Sequence, residues 1–404
     1  MGGSELLSQV LIAKEGSSFM NLANATNRVP DNTGLVYEGL PCAEPAFTPM
    51  VTMAENHHTT NKFFSRPGRP TLRRAECAFG LYIRSTGSAG TFTDKMFDAL
   101  DACFGKQVTT SASYTVSSWL SGTSATLASV SGLKPGCGFA VTVSGRKYVS
   151  FIRSISGTTI TFAPSIPGVV SAAPATIRGG RTYALGRDYA ADSSVSLEMC
   201  KEDYAYHGFG FQGKTLEIPL TTGEMATANV TMIAGYAPAV EAPLEIGATE
   251  EPPGTWLKFL NAMLLIDGSE TAVHSAKFSL DFAPVPDVSQ ANEGGLVGWH
   301  MGKPSISAVL ELSTFDATFT SKVDNGTEFS VLAYMGTSAN GSTVAIYMPA
   351  AHLTEYPNPV NLNDLTAQPL NVRCGNTESD GVDFNAADDE VSNTIFRMFF
   401  ERGA

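Results

Sequence analysis

Apolar and polar positions alternate with a period of two through much of this chain, most clearly between Trp256 and Pro349. Phe278, Leu280 and Phe282 alternate with Ser279 and Asp281. Ile306, Ala308, Leu310 and Leu312 alternate with Ser305, Ser307, Val309 and Glu311. Successive side chains of a strand point to opposite faces, so this spacing predicts antiparallel strands with one dry and one wet face. Another strand is expected at 342–349, and the polar stretch 283–299 reads as a long loop. The same alternation runs upstream, where Ala75, Cys77, Phe79, Leu81 and Ile83 oppose Arg74, Glu76 and Tyr82.

One stretch departs from this period. Met96, Phe97, Leu100 and Phe104 have helical spacing, with Thr93 or Asp94 placed to cap the start and Gly105 to end it. Residues 10–15 form an apolar run that suits a strand or a short helix, and the polar residues 51–67 read as a loop. From 108 to 180, Ser, Thr and Gly dominate and short strand patterns recur at 139–143, 148–152 and 158–162, which predicts a small all-β insert. Four prolines between 238 and 254 mark a linker. The expected organisation is a first domain of 1–107 plus 181–237, an insert of 108–180, a linker of 238–255 and a second domain of 256–404. The class is mainly β.

The two halves share short motifs in the same order. Gly68, Pro70 and Leu72 match Gly302, Pro304 and Ile306; Thr91, Phe92, Thr93 and Lys95 match Thr318, Phe319, Thr320 and Lys322. Residues 195–199 resemble 344–348. A duplicated building block accounts for this order.

A length of 404 residues favours two or three domains, and no run of about eighteen apolar residues is present to span a bilayer. The N-terminus lacks the basic start and apolar core of a signal peptide. Six scattered cysteines form no CxxC pair and read as reduced structural thiols of a cytosolic product. His57 and His58 are adjacent, which on a strand would point them to opposite faces rather than at one metal. The net charge of −13 is concentrated in the second half: from Ala237 onward there are 22 acidic and 7 basic residues. An ordinary nucleic-acid binder would be basic.

Candidate chemistry is sparse. Gly208, Gly213, Lys214 and Thr215 satisfy the phosphate-loop formula GxxxxGK[ST] letter for letter. That chemistry needs a buried strand before the motif and a helix after it. Here a polar segment precedes it, and a strand pattern containing Pro219 follows, so a hairpin turn is expected. The acids of 380–390 suit Ca²⁺ or simply a solvated loop, and the loop reading is preferred. Trp299 and His300 would serve as a sugar platform or as a packing anchor, with packing preferred. No base and nucleophile stand at recognisable spacing. A non-catalytic chain without cofactor or metal is expected.

Several of these segments together resemble the major tail tube protein of long, flexible-tailed (siphovirus-type) bacteriophages. They are residues 11–15, 206–220, 228–235, 298–312 and 346–349. The resemblance implies two β-sandwich or half-barrel domains, with a helix in the first, and the insert as an outward-facing decoration. It implies a virion tail structural protein, assembled in the host cytoplasm from copies of itself. Three duplicated chains, or six single ones, would close a ring whose inner barrel passes double-stranded DNA without binding it. Other tail proteins would be partners, and a membrane would not. DNA carries about one negative charge per 1.7 Å of helix axis, so acids are expected on the lumen face. Glu217, Asp281 and Glu311, on the polar sides of predicted strands, are the candidates. Stacking contacts between rings are assigned to the loops 48–67 and 283–299, with Glu55, His57, His58, Asp287, Gln290, Asn292 and Trp299 as candidates. Two other readings compete. One is a virion decoration or host-binding β-protein in which 108–180 does the work. The other is an enzyme using the phosphate-loop lookalike.

Overall fold

The computed structural model describes residues 8–16, 34–56, 66–86, 92–185, 194–201, 204–237, 257–259, 262–288, 296–336, 343–362, 365–374 and 395–403. The fold is mainly β, built of antiparallel sheets. It begins with β1 (Ser8–Lys14), β2 (Glu38–Leu40) and a long hairpin of β3 (Cys42–Asn56) and β4 (Arg66–Tyr82). Helix α1 (Lys95–Phe104) and β5 (Gly105–Thr109) follow. The inserted stretch carries β6 (Tyr114–Ser121), β7 (Ser124–Leu127), β8 (Gly138–Val143) and β9 (Arg146–Ser156). It ends with β10 (Thr159–Ala163), α2 (Val169–Ala172) and β11 (Thr176–Ile177). The chain returns through β12 (Gly180–Leu185), β13 (Val195–Lys201), β14 (Tyr204–Thr221) and β15 (Thr227–Ile233).

The second half opens with β16 (Met263–Ile266), β17 (Ser269–Thr271) and β18 (Val273–Asp281). A separate hairpin of β19 (Pro284–Val288) and β20 (Leu296–Met301) precedes β21 (Ser305–Leu312). Then come α3 (Thr318–Asp324), β22 (Phe329–Met335) and β23 (Val344–Leu353). The last strands are β24 (Val360–Leu362), β25 (Leu365–Cys374) and β26 (Arg397–Glu401).

Two layers of the main sheet enclose the core. The first runs β3-β4-β15-β14-β18-β21-β25. The second runs β5-β12-β26-β23-β22-β16-β17. They meet where Val372–Cys374 of β25 pair with Ala351–Leu353 of β23, so the sheet is nearly closed and barrel-like. The predicted helix fills the space between them. Asp94 accepts from the Met96 amide at 2.9 Å as N-cap, Gly105 at φ 69° ends the helix, and Met96, Phe97, Leu100 and Phe104 are buried. The halves share this core: Phe79, Leu216 and Ile218 belong to one cluster with Phe278, Leu310, Ile346 and Phe400.

The insert, 108–180, docks on the second layer. Its six strands, ordered β11-β6-β7-β10-β9-β8, have their own core around Phe139, Ile152 and Phe162. One face of that sheet also lies on the second layer, burying Val149 and Phe151 against Met263, Leu265, Leu332, Tyr334, Tyr347 and Phe399. The Phe151 ring stacks on Tyr347 with centroids 4.7 Å apart. The centre of the second layer, β26-β23-β22-β16, is therefore dry on both sides. That explains the unbroken apolar run Val344, Ala345, Ile346, Tyr347 and Met348, whose residues face the core and the insert in turn. A buried ion pair closes the joint: Lys147 Nζ lies 2.5 Å from Glu401 Oε2, and neither side chain is more than 2% exposed.

Three expectations change. Of the segment 51–67, residues 51–56 and 66–67 are strand, in β3 and β4, and 57–65 lie outside the described residues. The stretch 283–299 is mostly the β19–β20 hairpin rather than a plain loop. Residues 318–322, which match 91–95 in sequence, lie in a helix, α3. The linker 238–255 and the acidic stretch 380–390 lie outside the described residues.

The buried pair at the insert joint has a measurable consequence. Glu401→Leu strands the Lys147 ammonium in an apolar setting and is expected to cost about 3–5 kcal/mol. Adding Lys147→Met should recover most of the loss. Urea midpoints of the two variants against the parent chain check this.

Candidate functional site

The first layer buries only one of its faces. Leu216, Ile218 and Leu220 of β14, Phe278 and Leu280 of β18, and Ile306, Ala308 and Leu310 of β21 point into the core. The alternate positions form an open face. Register aligns them in rows across the strands. One row is Gly80, Asn229, Glu217, Ser279, Ser307 and Arg373; the next is Ala78, Thr231, Thr215, Asp281 and Ser305. A third passes through Thr221, Ser275, Glu311 and Pro369. Glu217, Asp281 and Glu311 thus lie on one face, on three adjacent strands. Small hydroxyl and amide side chains surround them.

The face is not uniformly acidic. Glu217 is paired with Lys277 at 3.0 Å. Glu311 accepts a hydrogen bond from Ser275 at 2.7 Å, and Asp281 from its own strand's end at the Ala283 amide, at 2.9 Å. Towards β4, Lys214 is paired with Glu76. Arg373 stands exposed in the Glu217 row.

The borders of this layer differ. Among the described residues β3 pairs only with β4, and its outer side is bare. Met50 and Val51 are 43% and 53% exposed there, a large value for apolar strand residues. At the far border β25 is paired beyond β21 only with β24, at Leu365–Ala367, and with β23, at Val372–Cys374.

Two hairpin arms leave the layer. Glu55 falls within β3 near the tip of the β3–β4 arm, while His57 and His58 lie outside the described residues. On the β19–β20 arm Asp287 is exposed and lies 3.6 Å from His300 Nε2, beside exposed Val285, Val288 and Val297. Gln290 and Asn292 lie outside the described residues. Trp299 is not an exposed contact residue. It is 3% exposed, packs with Phe209 and Leu296, donates Nε1–H to the Gly210 carbonyl at 3.2 Å, and lies under the Arg74 guanidinium. Packing is its role within the chain.

The phosphate-loop lookalike sits within β14, with no helix after it. Its glycines bend that strand so that residues 204–211 pair with β13 and residues 212–221 pair with β15 and β18. A Cβ on Gly213 would lie 2.6 Å from Cys103 Cα, so only glycine lets the strand pass under α1. Gly210, at φ 65°, gives its amide to the buried Glu15 carboxylate at 2.6 Å; Ser194 and Ser196 donate to the same group at 2.5 and 2.6 Å. The residues missed by sequence reasoning are these. Glu15 adjoins an apolar run and carries no signal of its own.

Other reactive groups are muted. None of the six cysteines is in a disulfide. Burial pushes Cys42, Cys77, Cys103 and Cys200 up to about 12, and Cys137 to about 11, so none of these five is a thiolate near neutrality. Among the described residues no three His, Cys, Asp or Glu gather as a metal site, and no helix is long and apolar enough to cross a membrane. No protein-family model matches the chain, and no curated protein matches its sequence.

His207 gives this region a pH dependence. Burial lowers its pKa from 6.5 to about 4, and its Nε2 shares a hydrogen bond of 2.5 Å with the Tyr37 hydroxyl. The unfolded imidazole takes up its proton near 6.5 and the folded one only near 4. Stability present above 6.5 is therefore lost as pH falls through that window, by up to roughly 3 kcal/mol. His207→Gln should flatten this slope, which urea midpoints at pH 7.5 and 4.5 will read.

Proposed function

We propose that this protein is a structural subunit that closes into rings through its first layer, and that stacked rings form a phage tail tube carrying double-stranded DNA. One observation carries the reading: a seven-stranded layer, wet on one face, ends at β3, whose outer side is unpaired among the described residues. Such a border favours another strand, and joining copies around an axis removes it while turning the wet faces inward. Each protomer would add seven strands to that inner barrel. The virion tail is the proposed location, and copies of this chain and other tail proteins are the partners.

The halves supply further support. Each runs from a strand pair bearing an arm (β3–β4, and β18–β21 with β19–β20 between) into a helix, α1 or α3. Within the chain the halves join at β14 and β18, through seven aligned pairs from Thr215↔Asp281 to Thr221↔Ser275. The proposed contact between copies repeats this seam, so that three chains give a ring of six similar units. The arms at β3–β4 and β19–β20, the latter with exposed Val285, Val288 and Val297, are placed to reach the next ring. The insert spends one face on the second layer, which leaves it less surface for the decoration role.

Purified protein should show stacked rings or tubes by negative-stain microscopy, with three protomers per ring. Met50→Lys with Val51→Lys places two charges on the bare border. It should abolish rings while shifting the thermal midpoint by no more than about 2 °C, as expected for exposed positions. Discrete monomers from the parent chain at all concentrations would overturn the proposal.

A further inference from the structure

We infer that the far border of the first layer receives β3 of a second copy, through apolar Phe315, Tyr356 and Val360 and the acids Asp316, Asp324 and Glu355. This rests on the ring reading above and supplies its partner surface. A head-to-tail contact joins two different surfaces of one chain, so the unpaired side of β3 needs its complement elsewhere on the same molecule.

The layer ends at β24, which pairs with β25 from Val360↔Ala367 to Leu362↔Leu365 and with no other strand among the described residues. Three large apolar side chains stand exposed around that end: Phe315 at 55%, Tyr356 at 53% and Val360 at 45%. Hydrogen bonds hold them at one rim. The Gln368 side chain, next along β25 from the partner of Val360, bonds both the amide and the carbonyl of Asp316, the residue after Phe315. Tyr356 donates its hydroxyl to Asp324 at the end of α3. Asp316, Asp324 and Glu355 are exposed, and each accepts from a neutral donor: the Thr318 amide, the Tyr356 hydroxyl and the Asn371 side chain. A three-residue strand offers few backbone hydrogen bonds, so side chains must supply much of any contact there.

The β3 border carries the complement. Exposed Met50 and Val51 lie opposite Arg74 and Arg73, and Arg73 is exposed. The faces agree as well. Adding a strand to a sheet preserves the alternation of side chains between its two faces. On β3, Met50 has the open-face parity of Arg74 and Glu76, whereas Val51 has the core-face parity of Arg73 and Ala75. At the far border Val360 shares the open-face parity of Ala367 and Pro369. Phe315, Asp316 and Asp324 stand on the core side, where Gln368 is buried and α3 packs through Phe319. Edge to edge, Met50 falls beside Val360 on one face, and Val51 with Arg73 beside Phe315 and the two aspartates on the other. Apolar groups meet apolar groups, and a cation meets carboxylates.

The test is disulfide cross-linking between separately purified variants that each add one cysteine, mixed in pairs and oxidised, with the parent chain as background. Val360→Cys should cross-link to Met50→Cys, or to Thr48→Cys or Thr52→Cys on the same face. Yields with Pro49→Cys and Val51→Cys should be about fivefold lower, because their Cβ atoms point away. Adding Arg73→Glu should lower the yield about threefold at low salt and less at high salt. Equal yields from even and odd positions, or none above the parent, would overturn the inference. So would dimers formed as readily by Met50→Cys alone, which would mean a symmetric contact of β3 with β3. Micrographs of the parent chain read the ring separately. Rings without these cross-links overturn this pairing alone, whereas cross-linked open chains without rings overturn the closed ring and support the pairing.

Discussion

The bend in β14 is the constraint on which the rest of the architecture depends. One strand serves two sheets, pairing with β13 along residues 204–211 and with β15 and β18 along 212–221. Glu15 fixes the bend, because its buried carboxylate is satisfied by Ser194, Ser196 and the Gly210 amide together. A carboxylate buried without such donors is very costly, so the strand can neither straighten nor slip without breaking the set. Gly213 completes the turn by letting the backbone pass against Cys103 of α1.

From this bend follows the fusion of the two halves. The C-terminal part of β14 meets β18, and β12 meets β26 on the other layer, so strands of both halves surround a single core. The two layers are then treated unequally. The centre of the second layer is covered by the insert and is dry on both sides, whereas the first layer keeps one face wet, and among the described residues nothing pairs with the outer side of β3. That border is the one the proposed assembly would close.

The strands and the helix were legible because their signals are local. Period-two alternation marked β4, β18 and β21, and the Asp94 cap and Gly105 stop framed α1. Glu217, Asp281 and Glu311 were each legible as wet positions, but their meeting on one face depends on register across β14, β18 and β21, which no local pattern states. The arms were misread as loops because β3 pairs on one side only and its outer positions, such as Thr48 and Thr52, are polar like a loop's. The insert's docking had a local signal that went unread. An unbroken apolar strand such as 344–348 requires cover on both faces, and the second cover had to come from elsewhere in the chain. The glycine motif shows the opposite error in formulas: a letter match describes spacing, whereas Gly210 and Gly213 are needed here for a positive φ and a close approach.

Charge shows most clearly where sequence reasoning stops. The second half has a large acidic excess, yet Asp281 and Glu311 are its only acids in the rows across the open face. Glu241, Glu245, Glu250, Glu251 and the acids of 378–390 lie outside the described residues. A net charge belongs to the chain, whereas an approaching polyanion responds to charges within about a Debye length of it. On the face itself the neighbouring lysine decides the sign as much as the acid does, and Glu217 with Lys277 is closer to neutral than either the composition or the acid alone suggests. The field along the proposed axis is therefore set by pairing geometry, at positions where exchange of one partner changes it more than any shift in overall composition.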